Sequence, residues 1–262
     1  MTQEQCRRST TCHHYTMRWL RLAPASHSTA GLHVGGPILE LACGTGRLTI
    51  PLALDGHEVV GLDASYPMIR AARAKADKSR AKVEFVVGDM RRFDLGRSFS
   101  MVIVSCNSLA HLTANEDIVE CLSRIARHLV PGGLLAFDVV NPNMRDLAQC
   151  GNTAERSNTK PDRSFVSGSK ELIAYDPVQQ VQILKWRFEE LGRKIPPVAL
   201  MRLRAFFPQE MPLRLALVGL ELAARYGDFS GGHFTGCSPN QIYVARAART
   251  SRISSLNAHA ST

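Results

Sequence analysis

No stretch of this chain approaches the ~18 consecutive apolar residues that a membrane-spanning helix requires. Cysteine is sparse and unpatterned: the seven thiols lie at 6, 12, 43, 106, 121, 150 and 237, an odd number with no C-x-x-C. That argues against a disulfide scaffold and for free, largely buried thiols in a reducing cytoplasm. Cys6, Cys12, His13 and His14 fit no zinc spacing, so no metal is expected. Aromatic residues are few, at 6%, and do not interleave with Lys or Arg, which disfavours a nucleic-acid partner. The net charge of +9 does not change this. Residues 1–35 hold four Arg against one Glu, and residues 245–262 three Arg against no acid, so the excess lies mostly in the tails. The first arginines are not followed by the apolar core of a secretory signal.

What is present is a chain of 262 residues, 45% hydrophobic, long enough for one good core with an insertion. Residues 1–35 are irregular, rich in Ser, Thr, Arg and His. From Pro37 apolar runs and helical stretches alternate. Strands are predicted at Pro37–Ala42, Glu58–Asp63, Val83–Val87, Met101–Cys106 and Leu134–Val140. Helices are predicted at Arg47–Asp55, from Ser65 to about Lys78, and from a Thr113/Glu116 capping box along a stripe of Ile118, Val119, Leu122, Ile125, Ala126 and Leu129. Pro131-Gly132-Gly133 is expected to stop that helix. Five short apolar strands alternating with helices imply a parallel sheet covered on both faces. Residues 142–163 read as a loop. Then Ser169–Tyr175, Gln180–Glu189 and Ala199–Phe207 alternate with period two, as antiparallel strands do. Pro208–Leu217 reads as the last helix, and Leu220–Tyr226 and Gln241–Ala247 as the last strands.

The most informative stretch is Ile38 to Arg47, an apolar run with an embedded acid, Glu40, that breaks into a glycine turn at Gly44 and Gly46. Such a turn brings backbone N–H groups close to a ligand. Twenty-three positions after Glu40, Asp63 ends the run Val59-Val60-Gly61-Leu62, where an acid can hold the two hydroxyls of a ribose. The site is therefore one for a nucleoside-bearing cofactor. A dinucleotide site would want a third glycine, but Arg47-Leu48-Thr49 follows Gly46.

Glu40-Leu41-Ala42-Cys43-Gly44-Thr45-Gly46 resembles the first motif of class I S-adenosylmethionine (SAM)-dependent methyltransferases, with Ala42 where the first glycine usually stands. That replacement is expected to cost little, since it adds only a methyl group. The resemblance continues through Gly61-Leu62-Asp63-Ala64-Ser65-Tyr66-Pro67-Met68, Gly88-Asp89-Met90, Met101 to Asn107, and Leu129 to Leu134, over about residues 36–140. It implies a Rossmann-like doubly wound sheet with a small antiparallel β insertion at about 165–207, inside a methyltransferase domain spanning 36–247. Residues 1–35 are then a possible partial lid, in which Tyr15 to Leu22 stands where a family lid helix would, and 248–262 a disordered tail.

The resemblance also assigns roles. Cofactor-binding positions are Glu40, Ala42, Cys43, Gly44 and Gly46 in the first motif and Asp63, Ala64 and Met68 in the second. Asp63 is the ribose acid and Met68 lies on adenine. Asp89 meets the adenine amino group, Met90 offers its N–H and apolar cover, and Asn107 offers its carbonyl to the SAM ammonium. Glu40 orients the glycine turn or reaches that ammonium through water. His111, in the turn after strand four, is the one titratable group expected near the methyl, as a general base or as loop structure. Tyr226, Asp228 and His233 are expected along the acceptor pocket. The expected partner is a small molecule methylated on N or O. The alternatives are an RNA or protein methyltransferase of the same fold, or a non-catalytic SAM-binding protein. Asn141-Pro142-Asn143 only superficially resembles the Asn-Pro-Pro-Tyr motif of adenine methyltransferases, which belongs after strand four.

Overall fold

In the strand β1 (Ile38–Leu41) every residue is buried, as expected of a central strand covered on both faces. The computed structural model describes residues 35–148, 154–156, 167–190, 193–194 and 198–249; the expected lid and nearly all of the tail lie outside them. β1 pairs in parallel with β2 (Val59–Asp63) on one side and with β4 (Phe99–Val104) on the other, and β3 (Glu84–Val87) extends the sheet beyond β2. β5 (Leu129–Val140) follows β4 in parallel, and β12 (Asn240–Ala247) and β11 (Leu220–Tyr226) close the far side as an antiparallel pair. The strand order is β3-β2-β1-β4-β5-β12-β11. It reverses direction at β1, so the C-terminal ends of β1 and β4 flank a topological switch point, where open α/β sheets bind ligands.

The sheet alternates cleanly between its two faces. Leu39, Leu41, Val60, Leu62, Val102 and Val104 pack on one side with α3 (Asn115–His128) and α5 (Glu210–Leu217). Ile38, Val59, Met101 and Ile103 pack on the other with Leu48 and Leu52, the latter in α1 (Thr49–Leu54). Ile69, Ala72 and Ala76 of α2 (Tyr66–Ser79) pack with Phe85 and Cys43. Because Glu40 shares the face of Ile38, it meets the first residue of α1. Asp138, in phase with Leu134 and Ala136, is its counterpart on β5.

Three expectations are corrected. Strand five begins at Leu129: Phe99 pairs with Leu129 and Met101 with Leu134, so Pro131-Gly132-Gly133 forms a bulge inside the strand rather than a stop before it. The Thr113/Glu116 capping box does not form, because the helix N-cap is Ala114, which makes no side-chain capping bond. Residues 142–163 are not all loop: they contain α4 (Met144–Ala148), started by the Asn143 side chain accepting the Arg145 N–H at 3.0 Å, and β6 (Ala154–Arg156). The insertion is a second, antiparallel sheet of β10 (Val198–Arg204), β8 (Val181–Glu190), β7 (Ser167–Asp176) and β6, with β9 (Arg193–Lys194) beside β8. β10 packs against the 3-10 turn Ser108–His111 at the end of β4.

Candidate functional site

Beyond β1 the chain turns through Ala42, Gly44 and Gly46 with φ of +54°, +56° and +76°. Gly44 and Gly46 supply the left-handed conformation without strain. Ala42 does not, and the expectation that it adds only a methyl group misplaces its cost, which is conformational: roughly 1–2 kcal/mol for an L-residue in this region. The turn is tied across the sheet edge by Asp63, whose Oδ2 accepts the Gly44 N–H and whose Oδ1 accepts the Ser65 N–H, both at 2.8 Å. Cys43 is buried beneath it, its N–H on Leu62 O at 3.0 Å and its thiol pushed well above the usual range by burial. Ala64, exposed, is the residue spanned by the Asp63–Ser65 bond. Tyr66 and Met68, at the start of α2, expose 60% and 46% of their surface beside it.

Glu40 is 2% exposed. Thr49 Oγ1 donates to its Oε2 and Ser105 Oγ to its Oε1 at 3.4 Å, and burial raises its pKa to about 7. Asp89 is held below the usual carboxylate range by Arg91, whose side-chain N–H groups reach both oxygens at 2.6–3.0 Å and whose Nη1 also reaches Asp117 at 3.0 Å. Met90 is half-buried against the main core.

At the tip of β4, Cys106 and Asn107 are consecutive left-handed residues, with φ of +62° and +58°. The buried Asp138 carboxylate of β5 accepts both their N–H groups, at 2.6 and 3.0 Å, and burial lifts its pKa to about 6. Asn107 Oδ1 in turn accepts the Val140 N–H at 3.0 Å, and its carbonyl accepts the Ala110 N–H at 3.0 Å. Arg47 donates to Cys106 Sγ. The 3-10 turn that follows ends in His111, which has no hydrogen-bond partner among the described residues. The residue is exposed, and desolvation by its neighbours lowers its pKa from the ordinary imidazole value.

Sequence reasoning missed Asp138, although its signal matched that of Glu40: an acid embedded in an apolar strand. Arg91 carried no such signal. At the same sheet edge, Tyr226 bridges His233, and Asp228 caps its own loop through the Ser230 and Gly232 N–H groups at 2.6 and 3.2 Å. Asp228 is thus engaged within its loop. Among the described residues no three His, Cys, Asp or Glu side chains converge as a metal site would require, and no helix is long and apolar enough to cross a membrane.

Comparison with known proteins adds to this geometry. The methyltransferase-domain family matches residues 38–133. The chain is 40% identical over 232 residues to YqeM of Bacillus subtilis, which is named as a methyltransferase, covering 84% of this chain and 88% of that one. Over 103 residues, 38% of each chain, it is 36% identical to a dTDP-3-amino-3,6-dideoxy-alpha-D-glucopyranose N,N-dimethyltransferase of Streptomyces fradiae. Among solved structures, the CcbJ methyltransferase from Streptomyces caelestis superposes with a TM-score of 0.74 at 28% identity, over 92% of this chain and 96% of that one.

Proposed function

Because this chain belongs to the class I SAM-dependent methyltransferases, we propose that it methylates an amine or hydroxyl of a small molecule, with His111 beside the reacting atom. The observation that carries this reading is the His111 ring, unpartnered among the described residues, on the turn after β4, with β10 of the inserted sheet packed against that turn. The similarity to an amino-sugar N,N-dimethyltransferase supports nitrogen as the acceptor.

The residues fit the cofactor. An added Cβ at Gly44 would meet no atom within 4 Å, so the turn leaves room for close backbone approach. Asp63 keeps acceptor capacity beyond its two N–H bonds for ribose hydroxyls. The exposed Met68 and half-buried Met90 offer apolar cover to a purine, and Asp89 can share its oxygens between Arg91 and an adenine amino group. Ala42, Cys43, Gly46 and Ala64 shape the backbone, Glu40 braces it through Thr49, and Asn107 presents its remaining carbonyl lone pair to an ammonium.

When bound, SAM supplies a sulfonium methyl, an electrophile that needs no covalent enzyme intermediate. The work left to the chain is placement, which can supply effective molarities of ~10⁵ M or more. His111 takes a proton from the acceptor only as the neutral ring, the form its lowered pKa favours. The test is transfer of labelled methyl from SAM to a panel of small amines and alcohols, with RNA and protein as comparison acceptors. Label appearing in RNA or protein alone would overturn the reading.

A further inference from the structure

Next to the His111 turn the described residues bury more positive than negative charge. Arg204 of β10 and Arg214 of α5 share one carboxylate, Glu210, at 3.3 and 2.9 Å. Their side chains are only 9% and 15% exposed. Glu210 is committed on its other oxygen as well, which accepts the Phe207 N–H at 2.8 Å. Arg204 finds further neutral acceptors in Thr113 O at 3.2 Å and Gln180 Oε1 at 2.7 Å, and Arg214 finds Asn115 Oδ1 at 3.0 Å. Even so, Arg204 Nε and Arg214 Nη1 are buried with no acceptor among the described residues. Other carboxylates nearby are occupied. Asp117 pairs with Arg91, and Asp176 caps the Val178 and Gln179 N–H groups at 2.9 and 3.0 Å. Glu116, exposed in the first turn of α3, pairs with neither guanidinium. Among the described residues the two arginines therefore carry one positive charge beyond what Glu210 balances, with only neutral acceptors and the Phe206 ring, 5.7 Å from the Arg214 guanidinium, beside them, a costly arrangement unless something else neutralises it.

A cavity of about 370 Å³ opens at this point, lined by Thr113, Ala114, Asn115, Val178, Gln179 and Arg204. Thr113 is two residues from His111. We propose that this cavity is a subsite for a carboxylate or phosphate group of the methyl acceptor, attracted by the unbalanced Arg204–Arg214 pair; this rests on the small-molecule reading above. Arginine suits this task, because its planar donor array matches the oxygens of either anion. Burial, together with its neighbour Arg204, already depresses the Arg214 pKa against the pull of Glu210, which is the sign of a cation short of anions. Binding there would leave the acceptor's uncharged end toward His111 and select anionic substrates over neutral ones.

Asn115 gives the decisive variant. Its Oδ1 already touches Arg214, so Asn115→Asp places the missing carboxylate inside the cluster, at a helix N-terminal position where Asp is favourable. Calorimetric titration of the full chain with inorganic phosphate, at constant ionic strength, is expected to show saturable binding. Asn115→Asp should weaken it at least tenfold while raising the melting temperature. No phosphate binding by the wild type, or equal binding by Asn115→Asp, overturns the proposal. Neither measurement needs turnover or SAM, so failure of the methyltransferase assay would be separate. Once the labelled-methyl assay has identified an acceptor, it should carry a carboxylate or phosphate, and Asn115→Asp should raise its KM at least tenfold with a smaller change in kcat. A neutral acceptor used equally well, or phosphate that binds without competing with the acceptor, would assign the cavity to a free ion and overturn the acceptor claim.

Discussion

Asp138 holds Asn107 from two directions: its Oδ2 accepts the Asn107 N–H at 3.0 Å, while Asn107 Oδ1 accepts the N–H of Val140, two residues beyond Asp138, at the same distance. The Cys106 N–H fills the other carboxylate oxygen. Two consecutive left-handed residues are thereby fixed at the point from which the His111 turn departs. Asp138→Asn removes a buried charge, which favours folding, but turns an NH₂ toward one of the two N–H groups. These effects oppose each other, so the melting temperature should move by only a few degrees. The turn should shift, however, and a 1 Å misplacement can cost about 10²-fold in rate. The expected result is a loss of kcat/KM out of proportion to the change in stability, read by thermal unfolding alongside steady-state kinetics.

Glu40 and Asp138 also set a pH dependence of stability. Their folded pKa values of about 7 and about 6 lie above the ~4.3 and ~3.9 of unfolded Glu and Asp. The folded chain therefore binds these protons more tightly than the unfolded one. Their contribution favours folding fully below pH ~4 and is lost as pH rises through 6 and 7. Glu40→Gln cannot ionise and keeps an acceptor for Thr49. In urea unfolding from pH 4.5 to 8 it should flatten the upper part of that decline and be more stable than wild type at pH 8. A variant that tracks the wild-type slope would show that the Glu40 carboxyl is not the buried acid described here.

The parallel strands were legible because each is a short apolar run bounded by turn residues, as Val59-Val60-Gly61-Leu62 before Asp63 shows. The turn after β1 and its Asp63 brace were legible for a different reason: Gly44 and Gly46 adopt left-handed backbone without strain, and the brace needs a side-chain acceptor at the end of β2. Asp138 was hidden because one acid within Leu134–Val140 does not disturb the apolar pattern, and its partners lie about 30 residues away, at the tip of another strand. The Thr113/Glu116 box failed because the helix starts one residue later than the spacing suggests, with Ala114 rather than Thr113 at the N-cap, and a one-residue shift of a helix boundary leaves no mark in the local pattern. The Pro131-Gly132-Gly133 stop failed similarly: pairing with β4 continues across those residues as a bulge.

The glycine turn separates conformational from ligand effects. Ala42→Gly relieves a left-handed alanine and should stabilise the fold by about 1 kcal/mol. Gly44→Ala imposes the same conformational cost, and its new methyl meets no protein atom within 4 Å. A similar small loss of stability is expected, about 1 kcal/mol, with a much larger loss of affinity for S-adenosylhomocysteine if the cofactor backs onto this residue. Denaturant unfolding and calorimetry on the same samples test both halves. Equal losses in the two would place the ligand elsewhere.

Asp63 braces the glycine turn and, in the proposed function, also holds the cofactor. Asp63→Ala frees the Gly44 and Ser65 N–H groups and removes the ribose acceptor, so S-adenosylhomocysteine affinity should fall by about 1.5–3 kcal/mol, the range for a charge-assisted hydrogen bond. Asp63→Asn keeps one acceptor oxygen and should fall between wild type and Ala. NAD binding tighter than that of the methyl-donor product would contradict the whole assignment.

His111 tests whether this chain uses base catalysis or alignment alone. Among the described residues its ring has neither a hydrogen-bond partner nor a carboxylate to orient it, and desolvation by its neighbours lowers its pKa although the residue is exposed. If it is a general base, kcat/KM should rise with pH through a value below the ordinary imidazole pKa of ~6.5 and level off above it, since only the neutral ring accepts a proton. His111→Ala should then cost about 10²–10⁴-fold in rate, the range for losing acid–base catalysis, with S-adenosylhomocysteine affinity unchanged. His111→Asn separates the two roles, because an amide can replace a loop hydrogen bond but cannot take the proton. An Asn variant with full activity and the wild-type pH profile would remove His111 from the chemistry. Catalysis would then rest on the turn that Asp138 holds in place, sufficient for an amine that arrives already deprotonated but not for a hydroxyl, whose proton needs a base.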